Sequence, residues 1–383
     1  MCRCFRFCNA FLFLPVIILH SCHIRQNVRF SDTYIKDHRG KFEVYVPEVH
    51  ELANILIALS SVGQADSNMT DMTTVYYRDV MTHFGPFMHH PIVDTINTHI
   101  LKPKDARSYW YYYALKMNAC GYDFNSENKI VHSGPIQKMG FSNMYDPIRR
   151  HEALITDFAE KTDFRAFYSQ HKTYYDSLIS TYRKFNPIDK MQGWLEKKFG
   201  FGYGQYCVYF SPLVGGAHAT QKYHNNHFEQ TAMFVCRSTP SSKYNRNVNE
   251  MNQSRVVFTE IDHNFVNPLS DKHRKSINKV FSDRKLWVDD SAGNLTDTYD
   301  NAYAIFNEYM TFALFSLYCL DNFPESDVKT FIPKMEKQMV EKRHFIRFAE
   351  FNQQLMTLYN TNKAITIEEL YRQILQYSEK NYR

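Results

Sequence analysis

A chain of 383 residues with 44% hydrophobic and 22% charged residues is too apolar to be disordered, and long enough for one large domain or two closely packed lobes. A formal charge of only +5, with no basic block of five or more residues, argues against nucleic acid as a partner. Just 13 Gly and 13 Pro argue against a turn-rich all-β design, while 27 Tyr and 30 Phe point to a core of large flat side chains.

Residues 1–21 read as an export signal. Arg3 and Arg6 precede an apolar run over 11–19 that is too short to span a membrane and is interrupted by Pro15. The sequence Leu19-His20-Ser21-Cys22 resembles the lipobox of bacterial lipoproteins. That resemblance implies cleavage before Cys22, diacylation of its thiol, a membrane anchor and a place in the bacterial cell envelope, periplasmic or at the outer membrane. A buried N-terminal helix is the alternative. Residues 22–43 then read as the lipidated Cys and a polar surface tether. Of the eight cysteines, Cys120, Cys207, Cys236 and Cys319 remain beyond Cys22. They form no CxxC pair, which disfavours a cysteine metal site. Cys207 and Cys236 lie in candidate strands and either bridge or stay as buried thiols.

Residues 44–383 read as one domain. In its helical N-terminal lobe, 44–200, Pro47 opens a helix whose Val49, Leu52, Ile55, Leu56 and Leu59 share a face. Helical patterns follow over 73–84, 91–101, 105–118, 150–184 and 187–198. Two β-prone runs, 205–210 and 231–235, flank a loop rich in Gly, His and Asn. Together with helices at 254–267, 272–282 and 300–321 they make a second part, 201–325. C-terminal helices at 327–347 and 366–380 complete 326–383, the last opened by Thr366 and Glu369 in capping-box spacing. The expected fold is α+β, predominantly helical, with a small central sheet.

The chemistry is concentrated between 254 and 315. On a helix, Glu260, His263 and Asn267 share a stripe, with Thr259 one turn before His263, and Val257, Ile261 and Phe265 opposite. Periodicity alone fits an amphipathic helix with its polar face in water. Between Asn301 and Leu320, however, Glu308 is the single Asp, Glu, Lys, Arg or His in an otherwise apolar helix. A helix apolar on every side is buried, and a lone ionised carboxylate inside it costs several kcal/mol unless something compensates. A metal ion, a histidine, a distant lysine or a retained proton each satisfies that requirement.

The stretch from Thr259 to Pro268, the helix around Asn307-Glu308 and the upstream Ser211-Pro212-Leu213-Val214-Gly215-Gly216 resemble an uncharacterised family of exported bacterial proteins, a domain of unknown function. Many of its members carry HExxH followed by Phe-Val-Asn-Pro and look like gluzincin zinc metallopeptidases. The resemblance runs from about residue 44, through His90-Pro91 and Trp194, to the Thr366 helix. It implies a zincin-like fold, a zinc cofactor and a peptide or protein substrate. It assigns Glu260 as general base and His263 and Glu308 as metal ligands, with Thr259 where the family has its first histidine.

A threonine hydroxyl is a far weaker zinc ligand than imidazole, and three outcomes follow. A loop histidine, His218 foremost among His218, His224 and His227, replaces the missing ligand. Or Glu260, His263 and Glu308 hold a harder cation. Or the site is metal-free, with Glu308 paired to His263. In the first case Glu260 would take the proton of a metal-activated water, with Tyr303 or Tyr309 near the oxyanion and the backbone of Val214, Gly215 and Gly216 pairing with an extended peptide. The expected function is therefore zinc-dependent peptide hydrolysis by an exported lipoprotein. The alternative is an inactive relative that binds peptide or another ligand in the same cleft.

Overall fold

The computed structural model describes residues 28–101, 108–141, 145–289 and 299–382. The signal segment and Cys22 lie outside the described residues. In chain order, the first part carries α1 (Asp32–His38), β1 (Lys41–Tyr45), α2 (Glu48–Leu59), α3 (Ser61–Ala65), α4 (Val75–Phe84) and α5 (Pro91–Thr95), which continues into a π-helical turn over Ile96–Ile100. Next come α6 (Ser108–Ala119), the hairpin β2 (Tyr122–Phe124) and β3 (Ile130–His132), α7 (Pro147–Lys161), α8 (Phe164–Gln170), α9 (Lys172–Phe185) and α10 (Ile188–Phe199). The strands β4 (Gln205–Ser211), β5 (Ala219–Asn225) and β6 (Phe228–Cys236) lead into α11 (Arg246–Lys272) and α12 (Arg274–Phe281). Finally α13 (Ala302–Asn322), α14 (Glu325–Glu341), α15 (Phe348–Thr361) and α16 (Ile367–Asn381) close the chain. The fold is α+β and mostly helical, with one small mixed sheet. Among the described residues, no helix is long and apolar enough to cross a membrane.

The sheet has the order β1-β4-β6-β5, with β1, β4 and β6 parallel and β5 antiparallel to β6. The side-chain period of two divides it cleanly. Tyr206, Val208, Phe210, Met233 and Val235 face the large helical core. Ala232 and Phe234 face a second apolar cluster built with Ala114 and Met117 of α6 and with Val28, Phe30, Ile136 and Met139. Both faces of β4 and β6 are covered, which is why their sequences are apolar almost throughout.

Three expectations change here. The tether expected over 22–43 is, from Val28 onward, part of the body: Val28 and Phe30 are buried, Phe30 packs edge-on against Phe228 at 5.1 Å, and β1 pairs with β4. Its polar composition misleads because it forms an edge, where a few buried side chains are enough to anchor a strand. The loop expected between the two strand signals contains β5, which is also polar because only Ala219 and Tyr223 are buried along it. The interval 348–361, read without a helix, is α15, anchored by Phe348, Phe351, Leu355 and Tyr359 at helical spacing. Cys120, Cys207, Cys236 and Cys319 are free, and the strand register sets Cys207 beside Ala232 and Cys236 beside Ser211, at different levels of the sheet.

Candidate functional site

Two helices position the site. α11 starts where Asn245 accepts a hydrogen bond from the Val248 amide at 2.8 Å, and it continues through Pro268. Proline has no amide to offer the carbonyl one turn back, at Asn264. The hydroxyl of Tyr203 donates to that carbonyl instead, at 2.7 Å, so the helix persists to Lys272. α13, capped by Asn301, is buried on every side from Ile305 to Cys319 and packs along α11. Their facing surfaces bring together Glu260 and His263 of α11 and Glu308 of α13.

Glu308 is buried, as its apolar helix requires, and its main partner is a cation that the sequence reading did not identify. Arg343, just past the end of α14, places Nη2 2.5 Å from Glu308 Oε1. The same nitrogen donates to the Tyr299 hydroxyl at 2.6 Å. The other carboxylate oxygen of Glu308 is 3.8 Å from His263 Nε2, too long for a hydrogen bond. The His263 ring is hydrogen-bonded by Asn267, which also accepts from Asn307 Nδ2 at 3.0 Å and so ties the two helices together. Burial holds His263 below the ordinary histidine range, with Glu308 opposing the shift and Arg343 reinforcing it. The imidazole is thus neutral, and Arg343 carries the positive charge beside Glu308.

Glu260 is half-buried, and its carboxylate makes no hydrogen bond among the described residues. Burial, with Glu308 adding, pushes it up to about 7 against the pull of Arg343 and Lys116. Lys116 of α6 is wholly buried, donates to the Ala217 carbonyl at 2.8 Å and is pushed down to about 7 by burial. Arg255 of α11 is half-buried. Its guanidinium lies over the Phe312 ring at 5.6 Å, while that of Arg343 lies over the same ring at 4.8 Å. Burial and then the repulsion of Arg343 pull Arg255 down to about 10. Asp262, fully buried with both oxygens unpartnered, is pushed well above the carboxylate range by burial and by its acidic neighbours, and is therefore a neutral acid.

The other sequence candidates divide sharply. Thr259 turns its hydroxyl back to donate to the Val256 carbonyl at 2.9 Å, away from His263. His218 enters the site region at the head of β5, its carbonyl held by the Tyr113 hydroxyl at 2.8 Å and its Nδ1 buried without a partner. Burial, with Lys116, Arg343 and Arg255, holds its ring down to about 3. His224 and His227 are exposed at the far end of the β5–β6 hairpin. Of the amides of Val214, Gly215 and Gly216, two are already engaged within the fold. The Val214 amide donates to Ser211, and the amides of Gly216 and Ala217 both donate to the Asn68 carbonyl, at 3.0 and 3.1 Å. A Cβ on Gly215 would meet the Ser67 carbonyl oxygen at 1.8 Å, so this glycine serves the close approach of the 67–68 backbone. Tyr303 and Tyr309 donate to the carbonyls of Asn267 and Trp287 and are likewise committed.

This donor set does not fit zinc. One oxygen of Glu308 is engaged by Arg343, the Thr259 hydroxyl is turned inward, and no group of three His, Cys, Asp or Glu side chains able to hold a metal occurs among the described residues. Sequence reasoning missed Arg343, Arg255 and Lys116, none of which stands in a recognisable pattern. It also passed over His50-Glu51-Leu52-Ala53-Asn54 on α2, which is one residue from HExxH. There the signal was visible, but the side chains are sealed in the core. No protein-family model, no curated protein and no solved structure matches the chain.

Proposed function

We propose that the chain is an exported, lipid-anchored protein with a gluzincin-like helix pair, and that it binds peptide in the cleft beside Glu260, His263 and Arg343 without cleaving it. The observation that carries this reading is the ion pair between Arg343 and Glu308. It supplies, from the protein itself, the positive charge that a bound metal would otherwise bring to that carboxylate. The groups left over, a half-ionised Glu260, a neutral His263 and Arg255, are suited to hydrogen bonding and charge recognition. A lipid on Cys22 would hold the body close to a membrane, because the stretch from Cys22 to Val28 spans at most about 20 Å.

A second reading, zinc-dependent peptide hydrolysis, is favoured by one observation: Glu260 sits near neutrality and free of hydrogen bonds, as a general base should. A peptide library separates the two. Retention of peptides, with no cleavage by either the parent protein or Glu260→Gln, supports the binding reading. Cleavage by the parent that is lost in Glu260→Gln overturns it in favour of the hydrolase.

A further inference from the structure

The charges around Glu260, His263 and Glu308 do not cancel. Arg343 is matched by Glu308 at 2.5 Å, and Lys116 and Glu260 lie in each other's field and offset one another. Arg255 is different. Among the described residues it has neither a hydrogen bond nor an ion pair, and its one contact of note is the face of Phe312, which it shares with Arg343. A guanidinium that is half-buried and has all its donors free is an unusual expense in a folded chain, since burial weakens its hydration without a counter-ion to compensate. Two cations gathered on one ring also repel each other. Beside them the Nδ1 of His218 is buried without a partner, on a ring kept neutral and so able to donate one hydrogen bond.

We propose that Arg255, together with the free edge of Arg343, forms a carboxylate-binding subsite on the Phe312 ring, and that the cleft therefore selects peptides bearing a carboxylate there, from a free C-terminus or from an Asp or Glu side chain. The fork of a guanidinium matches a carboxylate bidentately. One uncompensated cation suits a single negative charge better than a doubly charged phosphate, which would also meet Glu260 and Glu308. Arg255 lies one turn before Thr259 and two before His263 on α11, so a carboxylate held there would set the register of a peptide along the same helix face. The subsite rests on the peptide-binding reading of the cleft.

Three pools of short, dye-labelled random peptides test it by fluorescence anisotropy against the purified protein. One lacks Asp and Glu but has a free C-terminus, one is the same pool amidated, and one is amidated with a single internal Glu. At least one carboxylate-bearing pool is expected to bind about tenfold or more tightly than the carboxylate-free pool. Arg255→Gln is expected to erase that preference without lowering the thermal midpoint, and Arg255→Lys to restore part of it. The pool that gains identifies the source of the carboxylate. Equal binding of all three pools, or a preference that survives Arg255→Gln, overturns the subsite and leaves the cleft reading standing. Binding of none of them overturns both.

Discussion

Two helices in this protein carry nearly the same pattern, His50-Glu51-Leu52-Ala53-Asn54 on α2 and Thr259-Glu260-Ile261-Asp262-His263 on α11, and the chain uses them in opposite ways. On α2 the cluster is sealed: His50, Glu51 and Asn54 are 1%, 0% and 2% exposed. Glu51 accepts from the Tyr76 hydroxyl at 2.7 Å, Asn54 donates to the His50 carbonyl at 2.8 Å, and among the described residues no cation pairs with the acid. On α11 Glu260 and His263 keep part of their surface accessible, Arg343 pairs with Glu308, and Arg343 and Lys116 both act on Glu260. A glutamate beside a histidine is thus a packing device in one place and an accessible charged surface in the other. What separates them is access and counter-charge, which spacing along a helix does not encode.

The largest expected effect lies in the accessible cluster. Arg343→Met strands Glu308 among apolar side chains, and chemical denaturation is expected to show a loss of about 3 kcal/mol. Adding Glu308→Leu should recover most of it. If Arg343→Met alone is neutral, the ion pair is not what stabilises Glu308.

The sealed cluster predicts a pH dependence. Burial pushes Glu51 up to about 7, so below its unfolded value near 4.5 the acid is protonated in both states and costs nothing. As pH rises from 4.5 to 7 the unfolded chain ionises and the folded one resists, so stability falls over that window. Relative to Glu51→Gln, the parent should lose on the order of 2–3 kcal/mol across it. His50, held down to about 3 by burial, acts on the other side: its contribution is present above the unfolded histidine value and is lost as pH falls from about 6.5 toward 3. Parallel curves for parent and Glu51→Gln would mean that water reaches Glu51.

A smaller effect is expected at the proline in α11. Tyr203→Phe leaves the Asn264 carbonyl without a donor and should cost about 1–2 kcal/mol in thermal or chemical denaturation. The smallest is at the hairpin end, where His224→Ala and His227→Ala should each stay within about 0.5 kcal/mol of the parent.

Much of the fold was legible in the sequence, because apolar periodicity reports burial directly. The all-apolar 300–321 segment is the central helix α13, and Glu308 within it faces α11. What escaped has specific causes. β1 and β5 are edge strands that bury few side chains, so their sequences look like loop or tether. The partner of Glu308 comes from a turn 35 residues later, in a Lys342-Arg343-His344 stretch that resembles any solvated loop end. The glycines of the SPLVGG segment are explained by contact with Ser67 and Asn68, a proximity visible only in three dimensions.

On the binding reading proposed above, Arg343 and not a metal ion neutralises Glu308. It is tested most directly by the zinc content of protein purified without chelators, measured for the parent and for His263→Ala. Far less than one zinc per chain is expected in both. A content near one per chain that disappears in His263→Ala would contradict it.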